Sequence, residues 1–488
     1  MAFARCARSS LNRRDMLCGL AATASAMALP GGASAAPLAT VTAQTVRDKF
    51  SARTRPISVL LPRGSEANLA PVAAAFKTQA GVEIELVIVD VDQINSELML
   101  DAMLGRGTFD VALPATFTLP DLVDSGAIRP LDDFALRYEP PDFRDGILYS
   151  VGDKFDGKTY GFQTDGDAYV MFYHKAMMQD PSLETLYEDQ FGQKLRLPHT
   201  WADLDRQIRF FHQPDQGRFG GLLFRTPGYL AWEWWVRFHA KGVWPLAPDM
   251  TPQIAGDAGI AALEDLIAIT DCLLPEAGRL GLFENWKRYA QGDVYCNIGW
   301  GGTQKYLNSN SSKMRGQMLF GPTPGGDVNG GFLTTPYFNW GWSFVVSSVS
   351  PEPELAYLFS LFACSPEMST LAIRQAGGFF DPYRPEHYSD AGIGAAYSQP
   401  FLAVQRQSLE GAIPDLYLRG QSEYFHTLGK GLDAALHGQL TPAMALGRVA
   451  QEWELITNRI GRAAQVERWQ RLRGKYPQTA RRLLRDLG

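Results

Sequence analysis

Between residues 57 and 113, apolar runs short enough for strands alternate with runs long enough for helices, and that alternation confines this part of the chain to an α/β fold. Ile57-Ser58-Val59-Leu60-Leu61 is a short buried strand closed by Pro62-Arg63-Gly64-Ser65. Leu69 to Phe76 reads as a helix, Gly81 breaks it, and Val82 to Val89 is a second strand. A helix from Gln93 to Leu104 and a turn at Gly105-Arg106-Gly107-Thr108 lead into a third strand, Phe109 to Leu113, followed by a helix from Leu119 to Asp124. A strand–helix–strand unit favours a parallel sheet with helices on its faces, because parallel neighbours need a crossover and the helix supplies it. At 488 residues the chain is long enough for two lobes, each with its own core.

The stretch from Asp153 to Leu204 says most about function. An Asp156-Gly157-Lys158 turn leads to an aromatic, apolar strand, Tyr169 to Tyr173, and Asp165 and Asp167 flank a glycine just before it. After a polar spacer, Pro198-His199-Thr200-Trp201-Ala202-Asp203 places a threonine where it caps a helix running from Trp201 to Phe211, with acidic residues at its positive end. Further on, Tyr229 to Phe238 is a helix dense in tryptophan; Trp232 and Trp235 share a face suited to core packing or to stacking on a ligand. Ile260 to Leu273 is another helix. Gly299, Gly301 and Gly302 leave backbone room around Trp300. Phe338 to Ser348 alternates as a strand, and helices start at Pro353 and at Ser365-Pro366-Glu367. The basic tail from Arg468 to Arg485 reads as a solvated amphipathic helix.

The N-terminus has the organisation of an export signal. Arg13-Arg14 precede an apolar run from Leu17 to Leu29 and the small residues Ala33-Ser34-Ala35-Ala36, a pattern of the twin-arginine type. The run is shorter than the ~20 residues that span a bilayer, and the residues before Cys18 are not those of a lipidation site. Residues 1–36 are therefore expected to be a signal peptide of a periplasmic protein, with 37–55 a polar leader. Removing 1–36 takes away Arg5, Arg8, Arg13, Arg14 and Asp15, leaving 42 basic against 51 acidic side chains and a formal charge of −9. An acidic surface argues against nucleic acid and anionic lipid as partners. Cys272, Cys296 and Cys364 fit neither a zinc site nor a disulfide framework, and the scattered histidines argue against a bound cofactor or metal.

Several motifs taken in order resemble the family 1 extracellular solute-binding proteins, the class that includes maltose-binding protein. Phe76 to Val82 matches Phe-x-x-x-x-Gly-Val, Gly107 to Val111 matches Gly-x-x-Asp-Val, and the turn ending Ser125-Gly126 … Pro130-Leu131-Asp132 matches its counterpart. The 153–204 stretch is similar to the family's first crossover between lobes, and Gly292 to Trp300 to its Gly-x-x-Ala-Met-x-x-x-Trp strand, with Tyr295-Cys296 in place of Ala-Met. Phe338 to Ser348 resembles the return crossover. Gly377 to Arg384 resembles its glycine-rich, arginine-ended loop, with Phe380 and Asp381 where a proline pair is common. The resemblance spans roughly residues 56–465. It implies a two-lobed periplasmic binding protein fold, each lobe a mainly parallel sheet flanked by helices, joined by crossover hinge segments. Lobe 1 would take residues 56–164 and 341–398, and lobe 2 residues 165–340 and 399–488. It also implies a monomer that catalyses no reaction, captures a sugar, polyol or oligosaccharide by hinge closure, and delivers it to ABC permease subunits in the inner membrane.

Ligand sites in such sheets form beyond the carboxyl ends of strands. That places Arg63, Ser65 and Glu66 after the first strand, Thr116 and Phe117 after the third, and Asp165 and Asp167 on the crossover. Trp300, Gly301 and Gly302 come from the second lobe, Tyr337, Trp340 and Trp342 from the return segment, and Tyr424 from near the last helix pair. The resemblance implies that carboxylates and rings at these places hold a carbohydrate. Alternatives stand beside this: Asp165 and Asp167 as hinge-stabilising Asx turns, Arg63 paired with Glu66, a receptor feeding a membrane sensor, or a secreted carbohydrate-active enzyme. For the enzyme, Asp165 and Asp167, about 7 Å apart if extended, would be the carboxylate pair. No Gly-x-Ser-x-Gly, His-Glu-x-x-His or phosphate loop accompanies them.

Overall fold

Strand order in a computed structural model describing residues 36–52, 55–149 and 151–487 gives two main sheets and three two-stranded pairs. The signal-peptide reading, with its paired arginines and Cys18, falls almost wholly outside the described residues. In the first sheet the strands run Ile84–Val89, Ile57–Pro62, Val111–Ala112, Ser343–Val346 and Gly161–Gln163. The first three are parallel, as the strand–helix–strand pattern predicts, and the last two are antiparallel additions. In the second sheet Met318–Pro322, Val170–His174, Val294–Gly299 and Phe219–Leu222 lie side by side, and only the last pair is parallel.

The expectation of two mainly parallel sheets is therefore corrected: the first is mixed and the second mainly antiparallel. The cause is connectivity. Val170–His174 and Ser343–Val346 arrive from the opposite lobe, not through a helix crossover, and a strand so delivered is free to run antiparallel. Ile57–Pro62 and Val294–Gly299 are buried along their whole length, as central strands covered on both faces must be.

The chain passes between the lobes three times. It leaves the first sheet after Gln163 and joins the second at Val170; it returns between Phe338 and Ser343. Helix Pro366–Ile373 packs on helix Glu66–Ala80 of the first lobe, whereas helix Gln399–Glu410 packs on the second sheet, so the third passage lies between them. These three segments meet under the candidate site. Gly166 is required there, because a Cβ on it would fall 2.0 Å from the Pro382 carbonyl oxygen.

Local signals behave as their chemistry dictates. Thr200 Oγ1 accepts from the Asp203 N–H (3.1 Å) while the Asp203 carboxylate accepts from the Thr200 N–H (3.1 Å), a reciprocal cap that starts helix Trp201–Phe211. That helix is pinned to helix Pro227–His239 by a buried ion network. Arg237 donates two bonds to Asp205 (2.9 and 2.8 Å) and one to Glu233 (2.9 Å), and Arg225 also pairs with Glu233. Burial alone would push the Glu233 carboxyl up, but Arg225 and Arg237 more than offset this and hold it below the ordinary range.

Three sequence expectations are corrected. The leader is a helix, Leu38–Phe50, whose buried Ala39, Thr42, Ala43 and Val46 recur at helical spacing and pack on the first lobe. Its stripe is made of small residues, which gives little apolar contrast to read. Phe338 to Ser348 is not one strand: Tyr337–Phe338 and Ser343–Val346 are separated by an irregular crossover that carries Trp340 and Trp342. The basic tail is not a solvated helix. Helices Arg462–Arg473 and Gln478–Leu483 dock through Trp469, Leu472, Tyr476 and Leu483, all buried. Its arginines find partners as well: Arg468 and Arg471 reach Asp156 at 2.7 and 3.0 Å. Among the described residues no single helix is long and apolar enough to cross a membrane.

Candidate functional site

A cavity of ≈ 290 Å³ opens where the crossovers meet. Strand Val294–Gly299 ends by delivering Trp300, and the first return segment adds Trp340 and Trp342. Tyr229 comes from helix Pro227–His239, Trp286 from helix Leu282–Tyr289, and Phe379 from the third passage. The rings contact one another at steep angles: Trp300 and Trp340 at 76°, Trp232 and Trp300 at 89°, Trp232 and Trp340 at 77°, Phe117 and Trp340 at 88°. Edge-to-face contacts of this kind are favourable in themselves and make a rigid wall. The Trp300 indole N–H donates to Asn339 Oδ1 at 3.0 Å, which fixes its ring.

Asp167 is the buried charged side chain of the cavity lining. Behind it lie Asp165 and Asp381, both wholly buried; the three carboxyls offer oxygens within 4.8 Å of one another, the one such convergence of acidic, histidine or cysteine side chains among the described residues. Asp165 Oδ1 accepts from the Asp381 N–H (2.7 Å), and its other oxygen has no partner. Asp381 accepts from the Gly301 N–H (2.6 Å) and the Tyr397 hydroxyl (2.9 Å). Asp167 accepts weakly from the Gly341 N–H (3.4 Å), and it offers an oxygen within 4.8 Å of those of Asp165 and Asp381.

One ammonium group stands near, that of Lys305, and its donors go to the carbonyls of Phe380 (2.9 Å) and Gln375 (3.2 Å). Burial and then the Asp381 charge push Asp165 well above the ordinary carboxylate range. Burial and then the charges of Asp165 and Asp381 do the same to Asp167. Burial also raises Asp381, against the Asp167 hydrogen bond and Lys305. Burial brings Lys305 down to about 8 even though the three carboxyls oppose it. The arrangement stores more potential negative charge than it neutralises.

Of the residues expected to bind ligand, Arg63, Asp167, Trp300, Gly302, Trp340 and Trp342 line the cavity. Arg63 pairs across its rim with Asp90 at 3.1 Å instead of with Glu66, which accepts from the Gly64 N–H. Ser65 is turned inward, its hydroxyl donating to the Pro62 carbonyl at 2.7 Å, and Gly301 serves Asp381. Thr116 shares a hydrogen bond with Ser343 Oγ (3.0 Å) beside a separate small void, and Phe117 supports Trp340 from that side. Asp165 belongs to the layer beneath the cavity.

Two expectations are corrected outright. Tyr337 is fully buried with its hydroxyl on Asp415 (3.0 Å), and Tyr424 is core, its hydroxyl on Thr457 (2.7 Å) and its carbonyl accepting from the Trp453 indole. In both, a buried partner takes the polar tip that a ligand would need. Sequence reading missed Asp90, Tyr229, Phe283, Trp286 and Phe379 in the lining and Asp381 and Lys305 beneath it. The departure from the family loop at Phe380 and Asp381 was the available signal for one of them, Asp381.

With this geometry in view, comparisons with known proteins are direct. The solute-binding protein of Agrobacterium radiobacter K84 in complex with ribitol superposes with a TM-score of 0.70 at 18% identity, covering 82% of this chain and all of that one. That of Agrobacterium vitis S4 with bound D-mannitol gives 0.67 at 17%, over 84% and 99%. A maltose-bound T. maritima protein gives 0.68 at 17%, over 82% and 100%. At such identities the likeness shows the fold, a two-lobed binding-protein architecture. Residues 72–396 match the model of the bacterial extracellular solute-binding proteins, and the chain belongs to that family.

Proposed function

We propose that this protein captures a sugar or polyol-like solute in the cavity between its lobes and hands it to the permease subunits of an ABC-type importer. The observation that carries the reading is the cavity itself: it sits on the meeting point of the three crossovers, so a solute touching Trp300 and Trp340 bridges segments that hinge closure brings together. Relatives of the same architecture hold ribitol, mannitol and maltose, and flat rings suit the C–H faces of such molecules. The site residues are taken as Arg63, Asp167, Trp300, Gly302, Trp340 and Trp342, joined by Tyr229 and Trp286.

The lobe division at residues 164/165, 340/341 and 398/399, and export by the twin-arginine route to the periplasm, belong to the same proposal. No reaction is assigned. Against a glycosidase, only Asp167 lines the cavity while Asp165 is buried outside the lining, so the two do not flank a bond held there. A thermal-shift screen of the mature chain tests the reading. A sugar or polyol that raises the melting temperature, is recovered unchanged, and loses its effect in Trp300→Ala supports it; a solute that is consumed, or no response across the panel, counts against it.

A further inference from the structure

Donors and acceptors are unevenly shared in the cavity. Its walls are aromatic, with Tyr229, Trp286, Trp300, Trp340, Trp342 and Phe379 in the lining, and an indole has no acceptor to offer. Arg63 and Asp90 satisfy each other at the rim, 65% and 69% exposed. The buried carboxyl among the lining side chains is that of Asp167. A neutral polyol presents donors all round and would find one strong acceptor. A solute whose donors and charge are gathered at one nitrogen would use that acceptor fully.

The electrostatics point the same way. Asp165, Asp167 and Asp381 gather at one point, and Lys305 gives its bonds to carbonyls instead of to any of the three. The groups facing Asp167 are the carboxyls of Asp165 and Asp381, the Lys305 ammonium, the Gly341 N–H and, through Asp381, the Tyr397 hydroxyl. A positive charge at Asp167 would offset the like charges of the carboxyls gathered there. The indoles, Trp300 against Trp340 at 76° and Trp340 against Trp342 at 58°, present differently oriented rings to the same cavity. Ring faces attract cations within ~6 Å of their centres.

We infer that the solute of this cavity carries a cationic nitrogen, a protonated amine or a quaternary ammonium, seated against the Asp167 carboxyl among the faces of Trp300, Trp340 and Trp342. The inference rests on reading this cavity as the solute site. An amino sugar would offer C–H faces to the rings and an ammonium to Asp167.

Isothermal titration of the mature chain with matched pairs tests it: glucosamine against glucose, and choline against 3,3-dimethylbutanol, its neutral isostere. The expected result is at least one cationic probe binding about tenfold or more tighter than its neutral partner. Its enthalpy should change between buffers of different ionisation heat, because a cation drives a proton off a carboxyl that burial and like charge hold above the ordinary range. Asp167→Asn, which keeps shape and hydrogen bonding, should bring the ratio near one; the proton release in the unaltered protein reads the same point should that variant fold poorly. A preference for glucosamine alone identifies an aminated sugar, and for choline alone a quaternary ammonium; either upholds the inference. Cationic probes that bind no tighter than their partners overturn it. In that event, glucose binding would leave the solute-site reading intact, and silence from every probe would remove both.

Discussion

Replacing Gly301 by alanine should weaken the protein, although alanine is the better helix former. Gly301 is the first residue of helix Gly301–Leu307. A Cβ there would lie 2.3, 2.4 and 2.6 Å from the Oδ1, Cγ and Oδ2 atoms of Asp381, far inside contact distance. Asp381 cannot retreat freely, since the Tyr397 hydroxyl holds its Oδ1 and the carboxyls of Asp165 and Asp167 crowd it. Overpacking of this kind costs about 1–3 kcal/mol. Losing the Gly301 N–H bond to a carboxylate costs roughly 1.5–3 kcal/mol more, and helix propensity returns at most about 1 kcal/mol. The net loss should be about 3 kcal/mol, read as a lower urea midpoint at unchanged slope. Gly447, inside helix Pro442–Ile460, is the control: a Cβ there would meet nothing within 4 Å, and the same substitution should stabilise by up to about 1 kcal/mol. If Gly301→Ala is as stable as the unaltered protein, the tight junction between Asp381 and the Trp300 turn is wrong.

Other substitutions probe other parts of the account. Glu233→Gln should destabilise by roughly 3–5 kcal/mol in urea, because it leaves Arg225 and Arg237 buried beside a neutral amide; a loss below about 1 kcal/mol would show that network to be dispensable. Burial brings the Asp415 carboxyl up to about 7 against hydrogen bonds from Gln421, Leu416 and Tyr337. The folded chain then keeps a proton that the unfolded chain gives up above about pH 4, so this group lowers stability as pH rises from about 4 to 7. Asp415→Asn should therefore gain on the unaltered protein by about 1.4 kcal/mol per pH unit across that window and run parallel above it; parallel curves throughout would contradict this. Truncation after Gly461 removes the buried side chains of Trp469, Leu472, Tyr476 and Leu483 and should cost on the order of 5 kcal/mol or more, whereas a solvated tail would leave the melting curve unchanged.

What could be read from the sequence was what local chemistry decides. Thr200 and Asp203 form their cap from residues three apart, and helix Trp201–Phe211 has the limits expected of it. Trp300 follows a buried strand into a glycine-rich turn, so its arrival at the cavity was visible in the same run of residues. The carboxyl cluster was half visible: Asp165 and Asp167 are neighbours in sequence, but Asp381 and Lys305 come from remote segments and meet them only through the third passage. Tyr337 and Tyr424 misled because a tyrosine in an apolar context has the same local pattern whether its hydroxyl meets a ligand or a buried Asp415 or Thr457. The direction of the second sheet was hidden for a related reason. Strand patterns report burial, while pairing direction depends on which lobe a strand enters from.

The central claim is that a solute binds between the lobes on the Trp300–Trp340–Asp167 surface and is released unchanged. Isothermal titration of the mature chain with ribitol, mannitol, maltose, glucosamine and choline, with each probe recovered and analysed afterwards, tests it most directly. The account requires saturable binding of one molecule per chain by at least one probe, full chemical recovery, and a loss of about tenfold or more in affinity when Trp300 is replaced by alanine. Binding that Trp300→Ala leaves untouched, or a probe converted during the titration, would contradict it.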